Sequence, residues 1–394
     1  MNTIDHEAPR PIIVLTGGGT GGHITPILAV AHELKQTRAN PTTVYIGEKG
    51  SKFSELTQSN AAIDQAYSVR AGKLRRYHGE SWLTRLFDVK TNLLNLRDSL
   101  YVAVGIWQAW RLLGRIRPSV VFLKGGFVGV PVGIAAGLRK IPIVTHDSDA
   151  IPGLANQLVS RWVSVHATAL PAEAYAYPRS KTIQVGVLVE HAYTYVTQEL
   201  MRKYRTQLGL SERAKVLLIT GGSSGAQRLN EAFRAILPKL LDTFTDLEVI
   251  HQVGKGKQGV YDGFNHERLK VLEFLQPMYR YMGAADVVVA RASANTIAEL
   301  GVQGKATIVV PSPFLAGGHQ LENAKRLAVA HVALVVQEDS MLDEHKGLLA
   351  KITELLRNDD QRHELSEALH EDVIVDAATR LASVLLEQAG IQDV

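Results

Sequence analysis

Two glycine-rich runs carry the first legible chemistry in this 394-residue chain, GGGTGGH at 17–23 and GGSSG at 221–225. Each follows an apolar run, Ile12-Ile13-Val14-Leu15 and Val216-Leu217-Leu218-Ile219, and each leads into a helix-like segment. A strand, a glycine turn and a helix N-terminus make an anion site, because backbone N–H groups and the positive end of the helix dipole favour phosphate. One such unit suggests a nucleotide fold. Two, half a chain apart, predict twin α/β domains with a cleft between them. His23 directly follows the last glycine of the first run. There the helix dipole lowers an imidazole pKa and keeps the ring neutral, which suits a general base near pH 7. A histidine that only caps or packs the helix is the alternative.

Three further clusters can bind a ligand. In the second glycine run Ser223 and Ser224 add hydroxyl donors, although the glycines there can serve only a tight turn. The run RASANTIAE at 291–299 follows a strand and opens a helix, with Glu299 one to two turns in. A carboxylate so placed can accept both ribose hydroxyls of a nucleotide, or it can be a solvated surface glutamate. The run GGHQLENA at 317–324 lies at the C-terminal edge of a predicted strand, where open α/β sheets bind ligands. Residues 17–22 also satisfy G-x-G-x-x-G, with Glu48 near the end of the second strand, as a dinucleotide site requires.

The elements that position these groups alternate between strand and helix, which predicts parallel sheets with helices on both faces. In the first half, strands are predicted at 12–15, 43–46, 120–123 and 141–145, with Pro26 at the start of a helix and another helix over 132–138. The pattern restarts at Lys215, with strands at 216–219, 247–250, 269–272, 287–290 and 307–310. A hinge is expected near 186–200, and residues 371–388 read as a helix able to close back across the first domain.

Composition narrows the class. There is no cysteine, which excludes disulfides and thiolate metal sites and fits a reducing compartment. The N-terminal MNTIDHEAPR is unlike a signal peptide. The apolar stretch 100–110 is far shorter than the ~20 residues of a spanning helix, so a soluble, cytoplasmic protein is expected. Net charge is asymmetric. Residues 1–170 hold 19 Lys and Arg against 11 Asp and Glu, a net of +8, and the remainder is net −4. Such a basic half suits an anionic partner, a membrane surface or a nucleic acid, or is uneven surface charge without a role.

Taken in order, residues 17–23, Ala71-Gly72-Lys73-Leu74-Arg75-Arg76, Gly125-Gly126-Phe127-Val128 through Pro131, His146 through Pro152-Gly153-Leu154-Ala155-Asn156, 221–226, 291–299 and His319-Gln320 with Asn323-Ala324 form a set. That set resembles the MurG family of bacterial peptidoglycan glycosyltransferases, glycosyltransferase family 28, over nearly the whole chain. The resemblance implies an α/β GT-B fold, two Rossmann-like domains facing across a cleft. Residues 1–188 would form the acceptor and membrane-associating domain and 189–370 the UDP-sugar domain, with the C-terminal helix within 371–394 packing back on the first. It implies inverting transfer of N-acetylglucosamine from UDP-N-acetylglucosamine to undecaprenyl-diphosphate-N-acetylmuramyl-pentapeptide, with no cofactor and no metal.

The site residues carried over are these. Glu299 would bind the ribose hydroxyls, Gln320 the sugar, Ser223 a phosphate, and Leu275 the uracil through its backbone, with Ala294, Asn295 and Thr296 lining the same pocket. Thr20, Gly21 and Gly22 would lie near the reacting sugars and the acceptor diphosphate, with His23 as the base. Two departures affect substrate-binding positions. The family's His-Glu-Gln-Asn is here His146-Asp147-Ser148-Asp149, and its Gly-Asn-Pro-Val-Arg is here Gly186-Val187-Leu188-Val189-Glu190. Asp149 and Glu190 both add negative charge beside phosphate-bearing ligands, and an arginine-to-glutamate change is not conservative.

Within 81–89, Trp82, Leu83, Leu86 and Phe87 share a helical face ringed by Lys73, Arg75, Arg76, Arg85 and Lys90. That pattern reads either as core packing or as an interfacial patch for anionic lipid. The family's lipid acceptor favours peripheral docking on the cytoplasmic face of the plasma membrane, beside cell-wall synthesis partners and without nucleic acid. Other readings are a related transferase with a different glycolipid or small acceptor, a nicotinamide-dependent oxidoreductase using residues 17–22, and a non-catalytic nucleotide-sugar-binding scaffold.

Overall fold

A computed structural model describes residues 10–19, 21–51, 54–73, 89–222, 225–314 and 318–391. The chain divides into two compact units, Met1–Glu190 with Asp376–Val394, and His191–Val375. Thr20, Ser223 and the segment 81–88 lie outside the described residues. So do Arg75 and Arg76, and nothing is described of the Lys90 side chain.

The first unit is a seven-stranded parallel sheet: β1 (Ile12–Thr16), β2 (Thr42–Glu48), β3 (Gln65–Val69), β4 (Val120–Leu123), β5 (Ile143–Asp147), β6 (Val165–Thr168) and β7 (Thr182–Gln184), in the order β3-β2-β1-β4-β5-β6-β7. Its central strands read as unbroken apolar runs because helices cover both faces. All four residues of β4, Val-Val-Phe-Leu, are buried. The helices Val89–Ile116 and Gly129–Leu138 follow as crossovers, and Ala109, Leu113, Val132, Ala135 and Ala136 join the core against β4 and β5. The helix after β1 begins at Gly21, five residues before Pro26, so Pro26 lies inside it rather than at its start.

The second unit repeats the plan with six parallel strands: β8 (Lys215–Thr220), β9 (Leu247–Gln252), β10 (Leu269–Leu272), β11 (Val287–Ala290), β12 (Ala306–Val309) and β13 (Leu334–Val335), in the order β10-β9-β8-β11-β12-β13. Leu217, Ile219, Val287 and Val289 build one core face with Phe233, Leu237 and Leu240 of the helix Gln227–Thr243. Residues 371–388 are not one helix. Asp359–Asp372 ends in the second unit, and Ala377–Gln388 packs on the first-unit helix Gly21–Gln36, with Thr379 Oγ1 donating to Glu33 Oε2 at 2.8 Å.

Both sheets therefore have the 3-2-1-4-5-6 order of dinucleotide-type folds. Their crevices open where the order reverses, beyond the C-terminal ends of β1 and β4 in one unit and β8 and β11 in the other. These ends carry residues 17–19, 21–23 and 124–126 in the first unit, and 221, 222, 225 and 291–296 in the second.

Candidate active site

In the first unit two glycine loops interlock. Gly126 has φ +78°, and a Cβ there would fall 2.2 Å from the Gly18 carbonyl oxygen, so only glycine fits. Tyr45 Oη donates to Gly17 O at 2.9 Å from beneath. Gly21 and Gly22 form the first turn of the helix Gly21–Gln36, with His23 next. A helix start leaves its leading N–H groups outside its own ladder and carries positive dipole, as the sequence predicted. Burial, and then the charge of Lys124, lower the His23 pKa to about 4. The ring is neutral at pH 7, as a general base must be.

Opposite His23 stands Asn156, 1% exposed, on the helix Leu154–Val159. Its Nδ2 donates to His146 O and to Asp147 Oδ1, both at 2.9 Å. Both partners are acceptors, which fixes the amide orientation and leaves Oδ1 without a partner among the described residues. A Cβ on Gly125 would lie 3.6 Å from that Oδ1 and 3.8 Å from His23 Nε2, so the bare glycine keeps this space open. Asp147 accepts also from Gly153 N at 2.8 Å and from Tyr177 Oη at 2.9 Å. Burial nonetheless pushes its pKa up against these bonds. His146 is fully buried, and its Nε2 bonds Gly186 O at 2.8 Å. It ties β5 to the chain near the end of the unit.

Lys124, directly after β4, is 5% exposed, and its Nζ donates to Ser148 Oγ at 3.0 Å. Burial lowers its pKa, while the charges of Asp147 and Asp149 raise it. Asp149 is half-buried, whereas Glu190, the last residue of the unit, is exposed. Sequence reasoning missed Lys124. The available signal was a lysine closing an otherwise apolar strand run, Val120-Val121-Phe122-Leu123-Lys124.

In the second unit the loop after β8 turns on Gly225, whose φ is +65° and whose Cβ would lie 2.0 Å from Val253 O. Thr220 Oγ1 accepts from Gly222 N at 3.1 Å and donates to Gln252 Oε1 at 2.6 Å. Ala294, Asn295 and Thr296 form the first turn of the helix Ala294–Val302, with Glu299 half-buried farther along it. Gln320 is buried at the start of the helix His319–Ala330, and its Oε1 accepts from Ser312 N at 2.9 Å. Asn323 Nδ2 donates to Ala292 O at 3.0 Å and ties that helix to the loop before Ala294. Leu275, just past β10, buries its side chain in the core with Ala292 and Ile297. That leaves its backbone as the part able to meet a base.

Beneath these loops Arg291 Nη1 meets Glu338 Oε2 at 2.5 Å and Val310 O at 3.2 Å. Arg228 Nη1 reaches the other Glu338 oxygen at 3.2 Å. Glu338 is a second residue the sequence reading missed. It lies far along the chain from Arg291, with no local pattern to mark it.

The geometry agrees with the comparisons to known proteins. Residues 13–168 match the glycosyltransferase family 28 N-terminal domain and residues 216–381 the family's C-terminal domain. A Clostridium perfringens protein is 36% identical over 356 residues, covering 88% of this chain and 90% of its own length. It is named UDP-N-acetylglucosamine–N-acetylmuramyl-(pentapeptide) pyrophosphoryl-undecaprenol N-acetylglucosamine transferase. A protein of the same name from Natranaerobius thermophilus is 31% identical, covering 95% of this chain and 98% of its own. The crystal structure of Acinetobacter baumannii MurG aligns with a TM-score of 0.69 at 23% identity, over 96% of this chain and 99% of that one. With twin 3-2-1-4-5-6 sheets and both family domains matched in order, this chain belongs to glycosyltransferase family 28 and has its two-domain GT-B fold.

Proposed function

We propose that this chain transfers N-acetylglucosamine from UDP-N-acetylglucosamine to undecaprenyl-diphosphate-N-acetylmuramyl-pentapeptide, with inversion at the anomeric carbon, in peptidoglycan synthesis. Relatives named for this reaction and aligned over most of the chain support it. One observation carries the catalytic assignment. A neutral His23 in the first turn of a helix faces an open space shared with the Asn156 amide oxygen, which has no partner among the described residues. A sugar hydroxyl in that space attacks the anomeric carbon and passes its proton to the His23 imidazole. The bond from that carbon to the phosphate oxygen breaks, and UDP leaves with the electron pair.

In this reading the acceptor occupies the first unit, where Thr20, Gly21 and Gly22 approach the reacting sugars and the diphosphate. Asp149 and Glu190 stand at the two positions where the chain departs from the family. UDP-N-acetylglucosamine occupies the second unit. Glu299 accepts the ribose hydroxyls, Gln320 binds the sugar and Ser223 a phosphate, while the Leu275 backbone meets uracil beside Ala294, Asn295 and Thr296. The oxidoreductase reading gives Glu299 and Gln320 no task.

The protein also docks on the anionic cytoplasmic face of the plasma membrane. No described helix is long and apolar enough to cross a membrane. The helix Val89–Ile116 supports docking, because Leu96, Leu100, Val104 and Trp107 line one exposed face of it. Arg111 covers the Trp107 ring and Arg139 that of Trp110, at 5.0 and 4.1 Å. Exposed apolar groups flanked by arginine suit an interface with anionic lipid.

The test is transfer of labelled N-acetylglucosamine to a short-chain lipid I analogue with EDTA present. Product with inverted configuration is expected. Binding of UDP-N-acetylglucosamine without transfer would refute the acceptor or the catalytic assignment.

A further inference from the structure

We propose that Lys124 is the cation that binds the diphosphate of the acceptor, held ready by Ser148 between Asp147 and Asp149. The inference rests on the reading of the first unit as the acceptor site.

A lysine 5% exposed at the end of an apolar strand is unfavourable unless charge and hydrogen bonds compensate it. An ammonium has three N–H donors, yet among the described residues Lys124 gives one hydrogen bond, to Ser148 Oγ at 3.0 Å. Asp147 and Asp149 act on it as neighbouring charges, while the Asp147 carboxylate accepts its hydrogen bonds from Gly153 N, Asn156 Nδ2 and Tyr177 Oη. Two donors thus have no partner among the described residues, on a buried cation at the switch point of the sheet. Two bare glycines follow it, and the space beside Gly125 is the one that His23 and the Asn156 amide oxygen face.

A phosphate oxygen is the acceptor such a group lacks, and charge-assisted N–H to phosphate bonds are among the stronger ones available. The same placement accounts for one departure from the family pattern. The negative charge that Asp149 adds is balanced within the unit by Lys124, so it need not repel a diphosphate. A purely structural lysine, present only to neutralise Asp147 and Asp149, is the competing account. The charged and titratable groups around Lys124 are His23 on the helix after β1, His146 and Asp147 on β5, and Asp149 just beyond it.

Lys124→Met, which keeps length and removes charge, separates the two accounts. Inorganic pyrophosphate is titrated calorimetrically with UDP saturating the second unit, and KM is measured for both substrates. The expected result is a pyrophosphate Kd and an acceptor KM raised about 10- to 100-fold, with the UDP-N-acetylglucosamine KM within twofold of wild type. The acid limb of kcat/KM should also move to higher pH, because His23 loses a neighbouring cation. Unchanged pyrophosphate affinity with a lower melting temperature would overturn the proposal in favour of the structural lysine. Wild-type protein that binds pyrophosphate through Lys124 yet transfers nothing to lipid I would refute the substrate reading alone. Wild-type protein that ignores pyrophosphate would refute the Lys124 inference. Should Lys124→Met not fold, Ser148→Ala removes the bond that aims the ammonium. A several-fold weaker pyrophosphate affinity is expected there, and no change would overturn the proposal.

Discussion

Asn156 Nδ2 lies 2.9 Å from Asp147 Oδ1, and this bond turns the amide oxygen of Asn156 toward the space beside His23. A buried carboxylate thereby orients the amide through its nitrogen and leaves its oxygen to that space. Asn156→Ala removes a bond from Asp147 and the amide oxygen that faces the space beside His23. We expect kcat to fall about 10- to 100-fold, and stability by about 1–3 kcal/mol as Asp147 loses a donor. UDP-N-acetylglucosamine affinity should not change. Steady-state kinetics with calorimetry of donor binding check this, and an equal loss in donor binding would contradict the assignment of Asn156 to the acceptor side.

As the proposed base, His23 would set the acid limit of the reaction. An ordinary histidine would protonate near pH 6.5, but His23 is held to about 4 by burial and by Lys124. The base stays neutral down to that value, so kcat/KM should show no histidine limb between pH 8 and 5. His23→Ala should cost about 10²- to 10⁴-fold in kcat, the usual contribution of a positioned base. A pH profile bending near 6.5, abolished in His23→Ala, would show that the ring is not desolvated during turnover.

The parts of this molecule that were legible from sequence are those whose cause is local. β1, β4, β8 and β11 are short apolar runs ended by glycine or charge, and that pattern alone marks a buried parallel strand. β3, β6, β7 and β13 escaped notice because they are two to five residues long and lie toward the sheet margins, where polar residues such as Gln65, Ser68 and His166 break the apolar run. His23 was legible because a glycine run and a helix start flank it. Lys124 and Glu338 were not, because Ser148 and Arg291 stand 24 and 47 residues away and only the parallel crossovers bring them near.

Glu338 should matter to donor binding without touching the donor. Its two oxygens hold Arg291 and Arg228, and Arg291 opens the loop that leads to Ala294. Glu338→Gln leaves a buried guanidinium without its counter-charge, a change of about 3–5 kcal/mol when one partner of a buried pair is lost. Thermal melting should drop accordingly, and UDP-N-acetylglucosamine binding should weaken. Glu299→Ala should weaken donor binding while leaving both stability and membrane association near wild type. Loss of membrane association with Glu299→Ala would count against placing the donor on the second unit.

Acid should destabilise the second unit well before its carboxylates protonate. His251 is fully buried, and burial lowers its pKa to about 3. Asn230 Nδ2 donates to Val253 O, so its Oδ1 must accept from His251 Nε2, and His251 Nδ1 accepts from Tyr261 Oη. The folded state therefore keeps the ring neutral while the unfolded chain takes up a proton near pH 6.5. Stability contributed by this neutral ring is complete above pH 6.5. It is lost as pH falls toward about 3, at up to about 1.4 kcal/mol per pH unit. His23 and His166, each held to about 4, add the same sign in the first unit. Urea midpoints at pH 7, 5.5 and 4.5 should fall in that order, and a flat series would refute the buried-neutral assignment.

The exposed face of the helix Val89–Ile116 allows the proposed membrane docking to be tested apart from catalysis. Leu100 is 61% exposed and Trp107 56%, two turns apart on the same face. Neither side chain is needed for packing, since Asp98, Gly105, Ala109 and Leu113 are the buried positions among the described residues of this helix. The double substitution Leu100→Glu with Trp107→Glu should fold normally and transfer sugar to a water-soluble acceptor at a rate within twofold of wild type. Its binding to vesicles containing anionic lipid should fall at least tenfold, from lost apolar burial and from added repulsion. Wild-type binding should weaken with salt, because the arginines at the margin interact over roughly a Debye length of 8 Å at physiological ionic strength. Vesicle co-sedimentation across salt concentrations reads both effects. Undiminished binding by the double variant would move the docking surface off this helix.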